Sequence, residues 1–197
     1  MSTKIIVLLL TFLMVTLQAQ SQEIKNEKEK YVDRNVFPDE ALKQLDALSD
    51  AKRISYIRQV DGDNVSFEAK FKFNNKKLSV EFAPGGRLQD IEVLIKKRGL
   101  PDGLYAKFDQ LFLRLFDKYK ITRMQRQYKP GRGYSGVSLN DYLENSLNKF
   151  EINYELELRV VEKNSNEIGH YEFLIDENAE IQRKRRIKKV IDDNEVY

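Results

Sequence analysis

The sequence predicts an α+β fold in which two tandem helix-plus-antiparallel-meander repeats form one continuous antiparallel sheet, with both helices packed on one face. Residues 65–73 and 150–160 alternate strictly between apolar and polar side chains, a pattern typical of strands with one buried side and one side facing water. Each run is preceded by a helical pattern and followed by further strand-like segments. The same order occurs twice, which indicates an internal duplication.

The first repeat is expected over residues 36–99. Its helix is predicted within 37–49, where Pro38 suits the first helical position because its missing N–H costs nothing there. Asp39 and Glu40 fall in the first turn, where the helix dipole favours negative charge. The strands that follow are predicted at 54–60, 65–73, 78–82 and 88–95.

The second repeat is expected over residues 100–197. Pro101 corresponds to Pro38, and a helix with an apolar stripe follows from 104 to 116. The offset between matching residues grows from 63 at this proline pair to 87 at the first long strand, which places one insertion at 129–149. The strands of this repeat are predicted at 121–128, 150–160, 171–175 and 179–191.

The N-terminal residues 1–19 have the pattern of a cleaved signal peptide. Lys4 provides the positive start, an apolar run covers 5–17, and Ala19 is a small residue at a plausible cleavage point. This run is too short to be a membrane span, which needs about 20 apolar residues. We therefore expect a periplasmic or secreted protein, and we expect the polar residues 20–35 to form a flexible leader.

The composition restricts the chemistry that the chain can carry. Its 34 Lys and Arg residues nearly balance 31 Asp and Glu residues, which gives no support for nucleic-acid binding. There is no Cys and a single His, His170, so disulfides, thiolate sites and imidazole clusters are excluded. We expect no cofactor, no metal and no catalytic centre.

A glycine-rich segment, residues 131–136, matches the spacing of a dinucleotide-binding fingerprint. That fingerprint requires an apolar parallel strand before it and a helix directly after it, and neither pattern is present. We interpret the segment as a contact loop with Arg132 and Tyr134 as candidate binding residues, because Arg and Tyr are enriched at binding hot spots.

The predicted solvent-facing side of the sheet carries mixed charges at Glu68, Lys70, Glu155, Glu157 and Arg159. These residues are candidates for a recognition surface, and ordinary solvated side chains are the simpler alternative. A third interpretation is a hydrolase in which two of the carboxylates act as general acid and base. If this side is open to water, Glu68→Ala should change stability by no more than about 0.5 kcal/mol.

The insertion predicts a short helix over 138–147, with Ser138 as its N-cap and Tyr142 on its apolar stripe. That stripe either docks on the core or meets a partner. Residues 182–189 form a strongly basic final strand, which is either an edge strand protected by its cations or a contact for an anionic surface. In the second case the protein would be an envelope structural or stress protein that adsorbs to an anionic surface through Arg183, Arg185, Arg186 and Lys188.

The duplicated order and three short motifs resemble the PepSY-like family of Bacteroidetes envelope proteins, which share the fold of the β-lactamase inhibitory protein. The motifs are FPDEALKQL, FEAKFKF and VEFAPGGRLQDIEV, and the resemblance covers roughly 37–189. It implies an exported, non-enzymatic module that binds a protein or peptide, here through the open sheet face and the 129–149 insertion.

Overall fold

The structure, a computed structural model, describes residues 23–48 and 51–187. Within these residues one sheet of ten strands accompanies three α-helices. The helices are α1 (Asp39–Asp46), α2 (Leu104–Leu115) and α3 (Leu139–Leu143). The strands are β1 (Glu23–Lys25), β2 (Glu27–Tyr31), β3 (Lys52–Asp61), β4 (Asn64–Phe73), β5 (Lys76–Phe82), β6 (Leu88–Leu94), β7 (Phe116–Pro130), β8 (Phe150–Glu162), β9 (Ile168–Asp176) and β10 (Ile181–Ile187).

The strand order is β1-β10-β9-β8-β7-β6-β5-β4-β3-β2, so the two repeats share one sheet, as predicted. They meet where β6 pairs with β7. Neighbouring strands are antiparallel except β1 and β10, which are parallel. The sheet is therefore mixed, and the departure from an all-antiparallel sheet lies in its N-terminal strand.

Helices α1 and α2 pack on one face and bury two apolar clusters, one in each repeat. In the first cluster the ring of Phe37 meets the rings of Phe67 and Phe82 edge-on, at centroid distances of 5.5 and 6.0 Å. In the second, Phe112 on α2 lies 5.2 Å from Phe173 on β9 in the same arrangement. Aromatic rings bury large areas and favour this geometry, so these contacts fix the helices to the sheet.

The insertion docks on the first cluster, which is the first of the two alternatives. Ser138 and Asp141 form a reciprocal capping box at the start of α3. Leu139 is completely buried, and its backbone N–H donates to Gln44 Oε1 on α1 at 3.0 Å. The ring of Tyr142 packs 4.9 Å from that of Tyr128. The apolar stripe is therefore part of the core.

The structure corrects the prediction for the leader, because residues 23–31 form β1 and β2. We call this segment the strap. Its residues are all exposed or half-buried, so no apolar alternation marks it as a strand in the sequence. Backbone pairing holds it instead, and such pairing has no sequence signature. The predicted signal peptide lies outside the described residues, among which no helix is long and apolar enough to cross a membrane.

The strap joins the two ends of the strand order. Its β1 part pairs with β10, its β2 part pairs with β3, and only Asn26 lies between them. Strand β10 is thus flanked by β9 and β1, so the prediction that it is an edge strand was wrong. A single extended segment therefore bridges both ends of the sheet.

Candidate functional site

One cavity of about 480 Å³ lies on the sheet face opposite α1 and α2, and every one of the ten described strands contributes to its wall. We call it the charged cavity. Its apolar lining residues are Val65 and Leu174, and the others are polar or charged. The charged lining residues are Lys25, Glu27, Glu29, Asp61, Glu68, Lys70, Glu81, Arg87, Asp90, Glu92, Arg123, Lys129, Glu155, Glu157, Arg183 and Arg185.

A cluster of four charges closes one end of the cavity, where the strap crosses from β10 to β3. Glu172 is 1% exposed and accepts hydrogen bonds from Lys25 Nζ at 2.5 Å and from Arg185 Nε and Nη2 at 3.0 and 2.5 Å. Arg185 Nη1 also donates to Asp61 Oδ2 at 2.7 Å. The cluster thereby links β1, β9, β10 and β3 through side chains, and we call it the closing cluster.

Electrostatics within the closing cluster favour the charged forms. Burial alone would raise the pKa of Glu172, but the charges and hydrogen bonds of Lys25 and Arg185 outweigh it and lower that pKa below its ordinary value. Burial would likewise lower the pKa of Lys25, and the facing carboxylates of Glu172 and Glu27 reverse the effect and raise it. Each ion therefore needs its partners to stay buried and charged.

A second cluster surrounds Glu68 on β4. Its carboxylate accepts hydrogen bonds from Gln59 Nε2 at 2.8 Å and from the Ser79 hydroxyl, and it forms an ion pair with Lys70 at 2.9 Å. Lys70 also pairs with Glu29 of the strap at 3.1 Å. Glu68 is 7% exposed, so the expectation of a side chain open to water was wrong: the sheet curves, and the face that alternation marks as polar becomes the wall of a cavity.

The middle of the cavity wall carries carboxylates that crowd one another. Burial raises the pKa of Asp90 and Glu92 well above the ordinary values, and neighbouring carboxylates add to the shift. Burial and the charge of Glu172 raise the pKa of Glu155 to about 7, although Lys25, Arg183 and Arg185 oppose the shift. Burial therefore favours the protonated forms of these three carboxyl groups.

Glutamine amides on β7 support these carboxylates. Gln125 Nε2 donates to Glu92 Oε2 at 2.7 Å, and Gln127 Nε2 donates to Asp90 Oδ2 at 3.0 Å. Both glutamines are buried. These amide donors are uncharged, so they provide hydrogen bonds to the carboxyl oxygens without compensating the negative charge of the ionised forms.

The cavity brings together four of the predicted site residues, namely Glu68, Lys70, Glu155 and Glu157. Arg159 is exposed and does not line the cavity. Arg132 and Tyr134 lie in the exposed 131–136 loop, where Tyr134 is 48% accessible. Tyr142 packs on the core, as described above.

The basic strand does not present one cationic surface. Arg185 is 6% exposed and engaged with Glu172, which contradicts the predicted role for it in contact with an anionic surface. Arg183 lines the charged cavity, whereas Lys184 points the other way and lies over the ring of Tyr171 at 4.6 Å. Arg186 is half-buried, and Lys188 lies outside the described residues. Strand alternation divides the cations between the two faces.

Several cavity residues were not predicted from the sequence, among them Lys25, Asp90, Glu92 and Gln125, and neither was Glu172, the buried partner of Lys25. The signal for Glu172 was present, because it alternates with the apolar Tyr171 and Phe173. No comparable signal marked Lys25, since the strap lacks an apolar side. Among the described residues, no group of three or more His, Cys, Asp or Glu side chains is arranged to hold a metal ion.

Comparison with known proteins identifies the fold. No family model and no curated protein matches the sequence. A Bacteroides eggerthii protein predicted to be periplasmic is similar in structure, with a TM-score of 0.51, 14% identity and coverage of 76% of this chain and 88% of that one. A DUF2874 family protein of Bacteroides uniformis has a TM-score of 0.50, with the same identity and coverage.

A BLIP-like protein of Bacteroides fragilis has a TM-score of 0.47 and 10% identity, covering 81% of this chain and 92% of that one. The two likenesses with TM-scores of 0.51 and 0.50, both at 14% identity, show the fold and nothing about ligands. The chain therefore has a fold found in Bacteroides proteins, and membership of the PepSY-like family stays a prediction.

Proposed function

We propose that the chain is an exported, non-enzymatic binding module that recognises a protein or peptide through the charged cavity. One observation carries this proposal: a 480 Å³ cavity collects charged side chains of both signs from the whole sheet. Some of these charged side chains form close ion pairs, and others do not. The Lys25–Glu172 pair measures 2.5 Å, whereas Arg123–Glu157 and Arg183–Glu155 measure 3.8 and 4.0 Å.

Loosely paired charges in a concave surface suit recognition. Charges fixed in a concave, partly desolvated surface favour a ligand whose own charges match their arrangement. Their own ion pairs are long, at 3.8 and 4.0 Å, so a ligand could offer these groups shorter contacts than they make within the chain. The raised pKa of Glu155 would also suit a general acid. Burial and the adjacent charge of Glu172 account for that pKa, however, so it does not require a catalytic role.

The exposed 131–136 loop is a second contact in this proposal. The remainder of the insertion is committed to the core through Leu139 and Tyr142. Arg132 and Tyr134 stay accessible, and loops placed on a rigid scaffold are frequent contact sites. The N-terminal export pattern supports a location in the periplasm or outside the cell.

Site-specific photocrosslinking in the native host tests the proposal. A photoreactive benzoylphenylalanine at Leu174 probes the cavity, and the same residue at Tyr134 probes the loop. Leu113 on α2, which is exposed and remote from the lining residues, is the control position. We expect one discrete protein or peptide adduct from Leu174 and none from Leu113. No adduct from Leu174 together with an adduct from Leu113 would refute the cavity as the binding site.

A further inference from the structure

The strap differs from the longer strands β3 to β9 in how it is held. Each of those strands has at least one fully buried side chain, whereas no residue of 23–31 is fully buried. Ile24 and Tyr31 are 44% and 74% exposed. Backbone pairing to β10 over three residues and to β3 over five carries the attachment, with ion pairs from Lys25 and Glu29. Segments with few apolar contacts open locally at a lower free-energy cost than strands with buried apolar side chains.

The strap nevertheless forms part of the wall of the charged cavity. Lys25, Glu27 and Glu29 project into the charged cavity at every second residue. Lys25 Nζ lies 2.5 Å from Glu172 Oε2, so the buried acid at the end of the cavity is already paired with an ammonium group. A basic side chain of another extended segment would meet the same acceptors.

Removal of the strap would leave β10 and β3 with unpaired backbone groups beside the cavity. Such edges accept an added strand, in which main-chain hydrogen bonds supply affinity and alternate side chains supply specificity. We propose that residues 23–31 are a detachable strap, and that the place they occupy between β10 and β3 accepts an extended segment of a partner protein with a basic side chain at the position of Lys25. This inference rests on the proposed function and specifies the form of its ligand.

A charge reversal in the full chain tests this exchange. Lys25→Glu places an acid against Glu172, whereas Lys28→Glu makes the same change at an exposed strap residue that does not line the cavity. The probe is a fluorescein-labelled synthetic peptide of residues 22–32, and its binding is followed by fluorescence anisotropy. Amide hydrogen exchange of β2 and β3 reports whether the strap is bound.

We expect the rate of amide hydrogen exchange in β2 to rise at least tenfold in Lys25→Glu. The probe should bind that variant at least tenfold more tightly than it binds the unaltered chain. In the unaltered chain the tethered strap competes with the probe at a high effective concentration, so the probe can bind tightly only when the strap has been released. Lys28→Glu should stay within twofold of the unaltered chain. A probe peptide that carries Glu at the position of Lys25 should not bind. Equal rates of amide hydrogen exchange in Lys25→Glu and Lys28→Glu would overturn the proposal.

A second variant guards against general unfolding. Lys30 and Arg58 are paired residues of β2 and β3 outside the cavity lining, and the chain has no cysteine of its own. Lys30→Cys with Arg58→Cys, added to Lys25→Glu, permits a disulfide that locks the strap. Oxidation should abolish probe binding and reduction should restore it, and equal binding in both states would refute the exchange. If the disulfide-locked chain still yields the Leu174 adduct, the strap proposal fails while the proposed function stands. If the probe peptide replaces the strap but no adduct forms at Leu174 in the native host, the strap is detachable and the proposed function fails.

Discussion

Glu157 on β8 lies directly opposite Glu172 on β9. Like charges so opposed destabilise a sheet. The arrangement persists because Glu172 is surrounded by Lys25 and Arg185 at 2.5–3.0 Å, and Glu157 has Arg123 at 3.8 Å. The stability of the cavity therefore depends on the cations of the strap and of β10.

Loss of the buried guanidinium should be costly. Arg185→Met leaves Glu172 buried beside other carboxylates, and breaking a buried ion pair from one side costs about 3–5 kcal/mol. We expect a loss of this size in the free energy of unfolding, measured by urea denaturation. Arg159→Met, at an exposed position on β8, should cost no more than about 0.5 kcal/mol. Equal losses would mean that the closing cluster contributes nothing specific.

The raised pKa of Glu155 should make the protein less stable as the pH rises. The folded state retains the proton up to a pKa of about 7, whereas the unfolded chain releases it near the ordinary glutamate pKa of 4.5. Stability should therefore fall between pH 4.5 and 7 and level off above, with a contribution from this group on the order of 3 kcal/mol. Asp90 and Glu92 act in the same direction, while Glu172, whose pKa is lowered, acts oppositely at acid pH.

Glu155→Gln tests this dependence, since it removes the titrating group and keeps the shape. Urea midpoints at pH 5, 6, 7 and 8 should vary less in Glu155→Gln than in the unaltered chain. Glu167→Gln, in an exposed turn, should leave the profile unchanged. An unaltered profile in Glu155→Gln would show that Glu155 titrates normally.

Glu68 should behave as a buried polar residue. Glu68→Ala leaves Gln59 and Ser79 without their acceptor, at a cost of about 1–3 kcal/mol. Lys72→Ala, at an exposed position on the same strand, should cost less than about 0.5 kcal/mol. Urea denaturation of both variants decides, and a Glu68→Ala value as small as that of Lys72→Ala would restore the original expectation of an exposed side chain.

The turn between β5 and β6 should tolerate no side chain where it meets α1. Gly86 has φ +79°, and an added Cβ would lie 2.6 Å from Glu40 Cβ and 2.7 Å from the Ala41 nitrogen. Gly86→Ala should therefore lower the free energy of unfolding by at least about 1 kcal/mol. Gly85→Ala is the matched control, because its Cβ would meet nothing within 4 Å. Equal thermal midpoints for the two variants would contradict the close approach of α1.

The sequence predicted those features that depend on local periodicity. Alternation predicted one buried side for the runs 65–73 and 150–160, and Phe71 and Leu156 of these runs are indeed buried. The same alternation placed Glu68 and Glu155 on one face, where they line the same cavity. Curvature of that face has no local signal, so the burial of these acids could not be predicted. The strap escaped notice because neither of its sides is apolar and its partners lie in β3 and β10, far apart in sequence.

Coverage of both sheet ends by one nine-residue segment has a consequence for association between molecules. Exposed strand edges are templates for pairing with other chains, and short polar edge strands discourage it. Here the outermost strands are only three and five residues long and rich in charge. A single release of the segment would uncover two long edges at once, so solubility and ligand access are controlled by the same eight backbone pairings.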